Sequence, residues 1–326
     1  MGYAVVIGEA LVDLLDGRCD GEAVYRPVIG GAPLNVAVGI ARLGASVEFV
    51  GSVGDDVLAG RIRDFLADNG VGQRGVLTVP ASTALAVTTF AGAEPDFRFY
   101  GEPPSYGLLD PDALDPALVG GAAVLYCGSI ALLQAPVLAA ARRAWRLTAG
   151  RRVFDPNVRP RLLPDAAAMG GLRDLVDEFA ATADLVKLSA ADADLLYPGE
   201  SLDRVAGRLR ALGAGAVVIT RGPAGALVAA GSTPVSVPAP AVAAVDATGA
   251  GDSVMAALVA DLLLAGPPAP DGWPERVGYA LRVAGLVCEA PGGAVAMPTR
   301  AQVAARFPDP SPGTGGGDQL SPESSA

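Results

Sequence analysis

Short apolar runs and amphipathic helical patterns alternate along most of this chain, which leaves few folds open to it. Six runs rich in β-branched residues have the length of strands: 3–8, 47–53, 122–128, 152–157, 184–189 and 216–220. Four segments with apolar residues about every 3.6 positions, each ending in glycine, predict helices: 33–44, 57–70, 135–150 and 202–215. This alternation predicts a three-layer α/β/α fold around a mostly parallel sheet.

Two stretches interrupt the alternation, because 10–29 and 72–100 contain strand and hairpin patterns with no helix between them. We expect a small β-sheet lid, formed from about 10–29 and 72–105, over the carboxyl edge of the main sheet, where open α/β folds place ligands. We expect residues 1–305 to form a single domain. The Pro/Gly/Ser-rich tail, 308–326, is predicted to be disordered.

Composition excludes several classes of function. A formal net charge of −11 opposes binding to nucleic acid or to an anionic membrane, so small molecules are the expected partners. The chain has no histidine, which removes Ser-His-Asp and HExxH chemistry, and its only lysine, Lys187, lies outside any GxxxxGK[ST] phosphate loop. "VIGEAL" after the first strand also lacks the GxGxxG of a Rossmann dehydrogenase.

The chain shows no signal peptide and no apolar stretch of membrane-spanning length. Its three cysteines, Cys19, Cys127 and Cys288, are widely separated and are predicted to be buried thiols. The expected location is therefore the cytoplasm.

One helical pattern begins with chemistry of its own. In "DATGAGDSVMAALVADLLLAG", small residues at Gly249, Ala250 and Gly251 and the acid Asp252 directly precede an apolar helix that ends at Gly266. Free N–H groups at a helix start favour an anion, and a neighbouring carboxylate can accept the proton of an attacking alcohol. The pattern suits phosphoryl transfer to a hydroxyl. Ordinary capping of a helix by an acid after a tight turn explains the same residues equally well.

Two signatures resolve this choice by resemblance. "DATGAGD" (246–252) resembles the C-terminal signature of the ribokinase-like (PfkB) carbohydrate kinases, and "GGAPLNVAVGIARLGASVEFVGSVG" (30–54) resembles their N-terminal signature. The resemblance covers about residues 1–300 and implies ATP as phosphoryl donor with Mg²⁺, and K⁺ as a further cofactor.

The resemblance also implies a role for particular residues. Asp252 matches the catalytic base, and the amides of Gly249, Ala250 and Gly251 match the anion hole. The implied sugar-binding residues are Asp13, Gly30, Gly31, Asn35 and Arg159, and the implied nucleotide-binding residues are Lys187, Ser189, Thr220, Gly222 and Gly225. Asp192 matches an acid that orders magnesium through water, and Asp246 and Thr248 match ligands of a monovalent cation.

This chain departs from the family pattern in three places. Ala247 replaces a Thr or Ser of the signature, Ser189 replaces the Asn of an N-x-x-E motif, and Gly101 stands where many relatives carry arginine. Arg98 or Tyr106 could replace that arginine, or both could be ordinary strand and loop residues. The departures keep open a second class of function, a sugar-binding or regulatory protein without turnover.

The expected substrate is a sugar with a terminal hydroxyl. "VIGEALVDLL" (6–15) and "FDPNVRPRLLP" (154–164) resemble the fructokinase and 2-keto-3-deoxygluconate kinase branch, and fructose is the favoured substrate. A keto-acid would require an arginine such as Arg159, which could instead face phosphate or hold its loop. If the lid exposes a sheet edge, two copies could pair through it as a homodimer.

Overall fold

The structure is a computed structural model that describes residues 2–91 and 94–308. Its strands, in chain order, are β1 Ala4–Ile7, β2 Leu11–Cys19, β3 Glu22–Gly30, β4 Val47–Val53, β5 Gly72–Thr78, β6 Leu85–Ala91, β7 Glu94–Tyr100, β8 Val124–Gly128, β9 Arg151–Asp155, β10 Leu185–Ser189, β11 Ala216–Thr220, β12 Ala226–Ala229 and β13 Val235–Val237. Its helices are α1 Ala32–Arg42, α2 Val57–Asp68, α3 Pro116–Gly120, α4 Ala135–Leu147, α5 Ala166–Ala180, α6 Ala190–Leu196, α7 Leu202–Leu212, α8 Ala250–Ala265, α9 Trp273–Cys288 and α10 Arg300–Arg306.

The larger sheet has nine strands in the order β13-β12-β11-β10-β9-β8-β1-β4-β5. From β11 to β5 all neighbouring strands are parallel, and only β12 and β13 are antiparallel additions at one end. This confirms the predicted mostly parallel sheet. The six predicted strands and four predicted helices are all present, with ends that differ by up to three residues.

Helices cover both faces of this sheet because its strands alternate their side chains between two apolar cores. On β1, Val6 packs into the core beneath α1, α8 and α9, while Val5 and Ile7 face the core beneath α4, α5 and α7. All of these strand residues are fully buried. Apolar side chains on both faces are typical of a parallel sheet within a three-layer fold.

A second sheet has four strands in the order β3-β2-β6-β7. It confirms the predicted small separate sheet, whose strands lie within 11–30 and 85–100. Residues 72–78 were wrongly predicted to belong to it: they form β5, the parallel edge strand next to β4 of the larger sheet. The buried side chain of Val76 explains the difference, since it packs into the core below α1 and α2.

Three further sequence predictions can be compared with the structure. Cys127 is buried and Cys288 is half-buried, but Cys19 is exposed, because it ends β2 at the tip of the β2–β3 hairpin. Except for Pro308, the tail predicted to be disordered lies outside the described residues. Among the helices that the structure describes, none combines the length and apolarity needed to cross a membrane.

Candidate active site

The start of α8 lies at the carboxyl edge of the larger sheet. Gly249 precedes the helix with φ of 78°, a left-handed conformation that glycine adopts without strain, and a Cβ there would lie 2.7 Å from the Cα of Gly293. Ala250 donates its amide to the carbonyl of Ala247. The next two amides, of Gly251 and Asp252, have no carbonyl one turn earlier within the helix. This start can therefore bind an anion.

The carboxylate of Asp252 is buried and held from two sides. Asn35 Nδ2 donates to its Oδ2 at 2.7 Å, and Asn157 Nδ2 lies 3.5 Å from its Oδ1. Burial raises the pKa of Asp252 above its ordinary value, while the Asn35 hydrogen bond and the positive charges of Lys187 and Arg159 oppose that rise. The carboxylate is thus poised to accept a proton.

The two signatures meet at this contact, since Asn35 belongs to the N-terminal one and Asp252 to the C-terminal one. They are 217 positions apart in the chain. Asn35 is 7% exposed, and its Oδ1 accepts no hydrogen bond from any described residue. A buried amide oxygen without a partner is an acceptor for a ligand hydroxyl.

The glycines ahead of α1 give the chain room to turn out of the small sheet. Gly31 has φ of 112°, and a Cβ there would lie 2.5 Å from the carbonyl oxygen of Glu9. At Gly30 a Cβ would lie 2.0 Å from Asp13 Oδ2, so the missing side chain leaves space for that carboxylate. A side chain at either position would collide with its neighbours, so glycine is needed here for space and not only as a flexible hinge.

Asp13 lies in β2 and faces the same site. Burial raises the pKa of Asp13 to about 7, the positive charge of Arg159 opposes the rise, and the negative charge of Asp252 adds to it. Asp13 thus interacts electrostatically with Arg159 and Asp252, and its role in sugar binding stays a prediction. Arg159 is half-buried, and its Nη1 donates to Asn157 Oδ1 at 2.6 Å.

Glu9 is a site residue that the sequence analysis missed. It follows β1, is 1% exposed, and accepts hydrogen bonds from the amides of Ala32 at 3.3 Å and Ala131 at 3.2 Å. Burial raises its pKa to about 7, against hydrogen bonds from Ser129 and the Ala131 amide and the charge of Arg159. An acid directly after an apolar strand was the available signal.

Asp155 and Asn157 were also missed as individual residues, although the motif "FDPN" that contains them was noted. Asp155 ends β9, is 1% exposed, and accepts from Lys187 Nζ at 2.8 Å and from the amide of Asn157 at 3.1 Å. Asn157 has φ of 40° and joins Arg159 to Asp252 through its side chain. Polar residues at a strand end again marked the site.

Lys187 and Ser189, predicted to bind nucleotide, have protein partners in the structure. Lys187 is 3% exposed and forms its ion pair with Asp155. Ser189 is the N-cap of α6, and its hydroxyl and amide both donate to Asp192 Oδ2, at 2.7 and 2.8 Å. A nucleotide role for either residue stays a prediction.

The remaining predicted nucleotide residues surround the end of β11. Thr220 pairs with Ser189 across β10 and β11 at the carboxyl edge of the sheet. Gly222, with φ of 55°, is exposed with open space at its Cβ position, whereas a Cβ on Gly225 would lie 2.0 Å from the carbonyl of Val237. Gly225 is therefore required by the turn into β12, and Gly222 leaves the surface open.

The predicted metal ligands are only partly suited to that role. Asp192 is buried, and besides the Ser189 contacts its Oδ1 accepts from the amide of Val158 at 2.9 Å. Within residues 2–91 and 94–308, no group of three or more acidic or cysteine side chains could hold a metal. Both carboxylate oxygens of Asp192 thus have protein donors, and its role in ordering magnesium through water stays a prediction.

Asp246 and Thr248, predicted to hold a monovalent cation, are bonded to each other. Asp246 Oδ1 accepts from the amide and hydroxyl of Thr248 at 2.8 and 2.7 Å, and Oδ2 accepts from the amide of Gly292 at 3.0 Å. Although burial raises the pKa of Asp246, these hydrogen bonds lower it below its ordinary value. The contacts fasten the loop before α8 to the segment after α9.

A base beside free helix-start amides, at the carboxyl edge of a mostly parallel sheet, defines a site for transfer of an anionic group to a hydroxyl.

Comparison with known proteins agrees with this class of site. A family model described as pfkB family carbohydrate kinase matches residues 1–300. The fructokinase of Klebsiella pneumoniae is 36% identical, over 91% of this chain and 96% of that protein. Fructokinase-1 of Zea mays is 33% identical, over 92% and 95%.

Solved structures give the same result. The fructokinase with bound ATP from Xylella fastidiosa matches with a TM-score of 0.84 at 26% identity, covering 93% of this chain and 97% of that one. The fructokinase of Vibrio cholerae O395, in a form with fructose, ADP and calcium ion bound, matches with a TM-score of 0.82 at 28% identity, covering 94% and 98%. This chain belongs to the pfkB family of carbohydrate kinases and is an ATP-dependent sugar phosphotransferase.

Proposed function

We propose that the protein is a fructokinase that transfers the γ-phosphoryl group of ATP to a terminal hydroxyl of fructose. The observation that carries the proposal is Asp252 at the start of α8, bonded to Asn35 and next to helix-start amides that can hold phosphate. Its relatives named fructokinase support the choice of sugar.

The reaction follows from these positions. Asp252 takes the proton of the sugar hydroxyl as that oxygen bonds to the γ-phosphorus, and the bond from phosphorus to the bridging oxygen breaks with release of ADP. The amides of Gly251 and Asp252 hold negative charge on the transferred group. Magnesium, bound to the phosphates of ATP, would neutralise part of their charge.

The sugar side of the site favours a neutral substrate over a sugar acid. Glu9, Asp13 and Asp252 are all carboxyl groups, and Arg159 is the cation whose charge acts on each of them. Its Nη1 is already bonded to Asn157. A substrate carboxylate would add another negative charge, so we favour fructose over 2-keto-3-deoxygluconate.

Asp252→Asn tests the mechanism. We expect kcat to fall by about 100-fold or more with the fold retained, because the amide cannot accept the proton. Asp194→Asn, an exposed acid on α6, is the matched control and should leave kcat unchanged. Unchanged turnover in D252N would remove Asp252 from the mechanism.

A coupled ADP-release assay over fructose, 2-keto-3-deoxygluconate, ribose, tagatose and nucleosides tests the substrate. We expect the highest kcat/KM for fructose. Higher kcat/KM for the keto-acid would contradict the charge argument. Sugar binding without ADP release from any substrate would support the non-catalytic alternative.

Three finer features belong to the same proposal. We propose that Asp246 and Thr248 hold a monovalent cation once their mutual contacts rearrange, so that potassium raises turnover relative to sodium. The protein would act in the cytoplasm on small molecules. Two copies would pair through the small sheet, whose edge strands β3 and β7 are each bonded on one side only within the described chain.

A further inference from the structure

The only lysine of the chain lies beneath the catalytic helix start. Lys187 occupies the middle of β10, and its neighbours Val186 and Leu188 face the core beneath α4, α5 and α7. Because side chains alternate along a strand, Lys187 faces the opposite side, where α8 lies. Its Nζ would be 3.0 Å from a Cβ placed on Gly251.

A buried ammonium is unfavourable unless an opposite charge accompanies it. Asp155 supplies that charge from the next strand, with 2.8 Å between Lys187 Nζ and Asp155 Oδ2. The two side chains are 4% and 1% exposed. The pair is therefore shielded from solvent screening, and its field extends to the groups around it.

Asp252 is one of those groups. The charged and titratable groups that act on it are Lys187 and Arg159, which favour its ionised form, and Asp13, Asp155 and Tyr126, which are coupled to it with the opposite sign. The negative charges of Asp155, Asp192 and Asp252 all act on Lys187. It is the fixed positive charge beneath the first turn of α8.

We propose that Lys187 and Asp155 are positioning residues of the phosphoryl-transfer site: their ion pair holds a positive charge beneath Gly251, close to the first turn that carries Asp252, and disfavours a side chain at residue 251. Lys187 thus acts from below the site and does not bind the nucleotide directly. This inference rests on the proposed kinase function.

The pH profile of kcat/KM is the first test, since its acidic limb reports the pKa of the free enzyme's base. In Lys187→Met the supporting cation is lost, so the pKa of Asp252 rises and the limb should move to higher pH. In Asp155→Asn a repelling anion is lost and Lys187 is released toward Asp252, so the limb should move to lower pH. At neutral pH, kcat/KM of K187M should fall by about 100-fold.

Shifts of the acidic limb in opposite directions in K187M and D155N support the proposal. A purely structural role would lower the activity of both variants without moving the acidic limb. K187M is expected to fold, because methionine is similar in length and the buried Asp155, whose pKa burial already raises to about 6, can take up a proton. Circular dichroism and ATP binding by calorimetry check this.

A double-mutant cycle measured by thermal unfolding gives a second test, which does not depend on catalytic activity. Replacing a glycine within a helix by alanine normally stabilises the helix, because glycine loses more backbone entropy on folding. Here the new methyl group would press on an ammonium that Asp155 holds in place, so G251A should lower Tm in the wild-type background and raise or preserve it in K187M. An equal change in both backgrounds would overturn the proposal. If the wild type phosphorylates no sugar, the proposed function fails, and this cycle still tests whether the Lys187–Asp155 pair is held against residue 251.

Discussion

At the scale of single residues, the sugar side of the site holds two carboxyl groups with pKa values of about 7, Glu9 and Asp13. Burial is the main cause in both, because it disfavours the charged form. A carboxyl group whose pKa is higher in the folded than in the unfolded state binds more protons when folded. Its contribution to stability is therefore complete at acidic pH and is lost as pH rises through about 7.

Glu9→Gln tests this linkage. The rise from 4.5 to about 7 corresponds to about 3 kcal/mol, so wild-type protein should lose about that much stability relative to E9Q between pH 4.5 and pH 8. Urea unfolding at the two pH values measures it. Glu200→Gln, at an exposed position, is the control and should show no such difference. A pH-independent difference between E9Q and wild type would contradict the burial of a titrating Glu9.

At the scale of elements, helix starts in this protein are of two kinds, with and without a side-chain cap: α1, α4, α8 and α9 have no side-chain cap. The structural helices α2 and α5 are capped by Asp56 and Asp165, whose carboxylates accept amide hydrogen bonds from their first turns. The start of α8 has Gly249 at the same position, and glycine offers no side-chain acceptor. Unlike α1, α4 and α9, α8 has no proline in its first two positions, so its first amides keep their N–H groups, as the proposed phosphate binding requires.

Asp56 also connects α2 to the segment before β6. Besides capping α2 through Leu58 and Ala59, it accepts from the amide and hydroxyl of Thr83, both at 2.7 Å, next to the start of β6. We expect Asp56→Ala to cost about 2 kcal/mol and Asp165→Ala, which removes a single capping bond, about 1 kcal/mol. Chemical denaturation of both variants measures this. Equal losses would show that the contacts with Thr83 add nothing to stability.

At the scale of the whole molecule, the small sheet both contributes to the site and presents a free surface. Asp13 on β2 interacts electrostatically with Arg159 and Asp252, while Tyr25 on β3 and Tyr100 on β7 are each 53% exposed. Exposed aromatic side chains on edge strands suit pairing with a second copy.

Sedimentation equilibrium tests the proposed homodimer. Wild-type protein should sediment as a dimer, and Tyr25→Lys should shift it toward monomer, because a charge would then be placed in the interface. Arg204→Ala, an exposed position on α7, which packs against β11 and β12 of the larger sheet, is the control. A wild-type monomer at tens of micromolar, about 1 mg/ml, would rule the dimer out.

Periodicity and local signatures were sufficient to predict six strands of the larger sheet, four of its covering helices and the start of α8, because these depend on residues close together in the chain. The roles of Lys187 and Ser189 were not predictable in this way. Whether a side chain at a sheet edge reaches a substrate or another side chain depends on which strands lie side by side, and only the order β10-β9-β8-β1 brings Lys187 to Asp155 and Glu9 to Ala131. The chemistry proposed for the site was thus suggested by local signatures and their resemblance to a family. The pKa values of its carboxyl groups and the contacts that hold them were decided by the tertiary structure, since burial and opposite charge act through space.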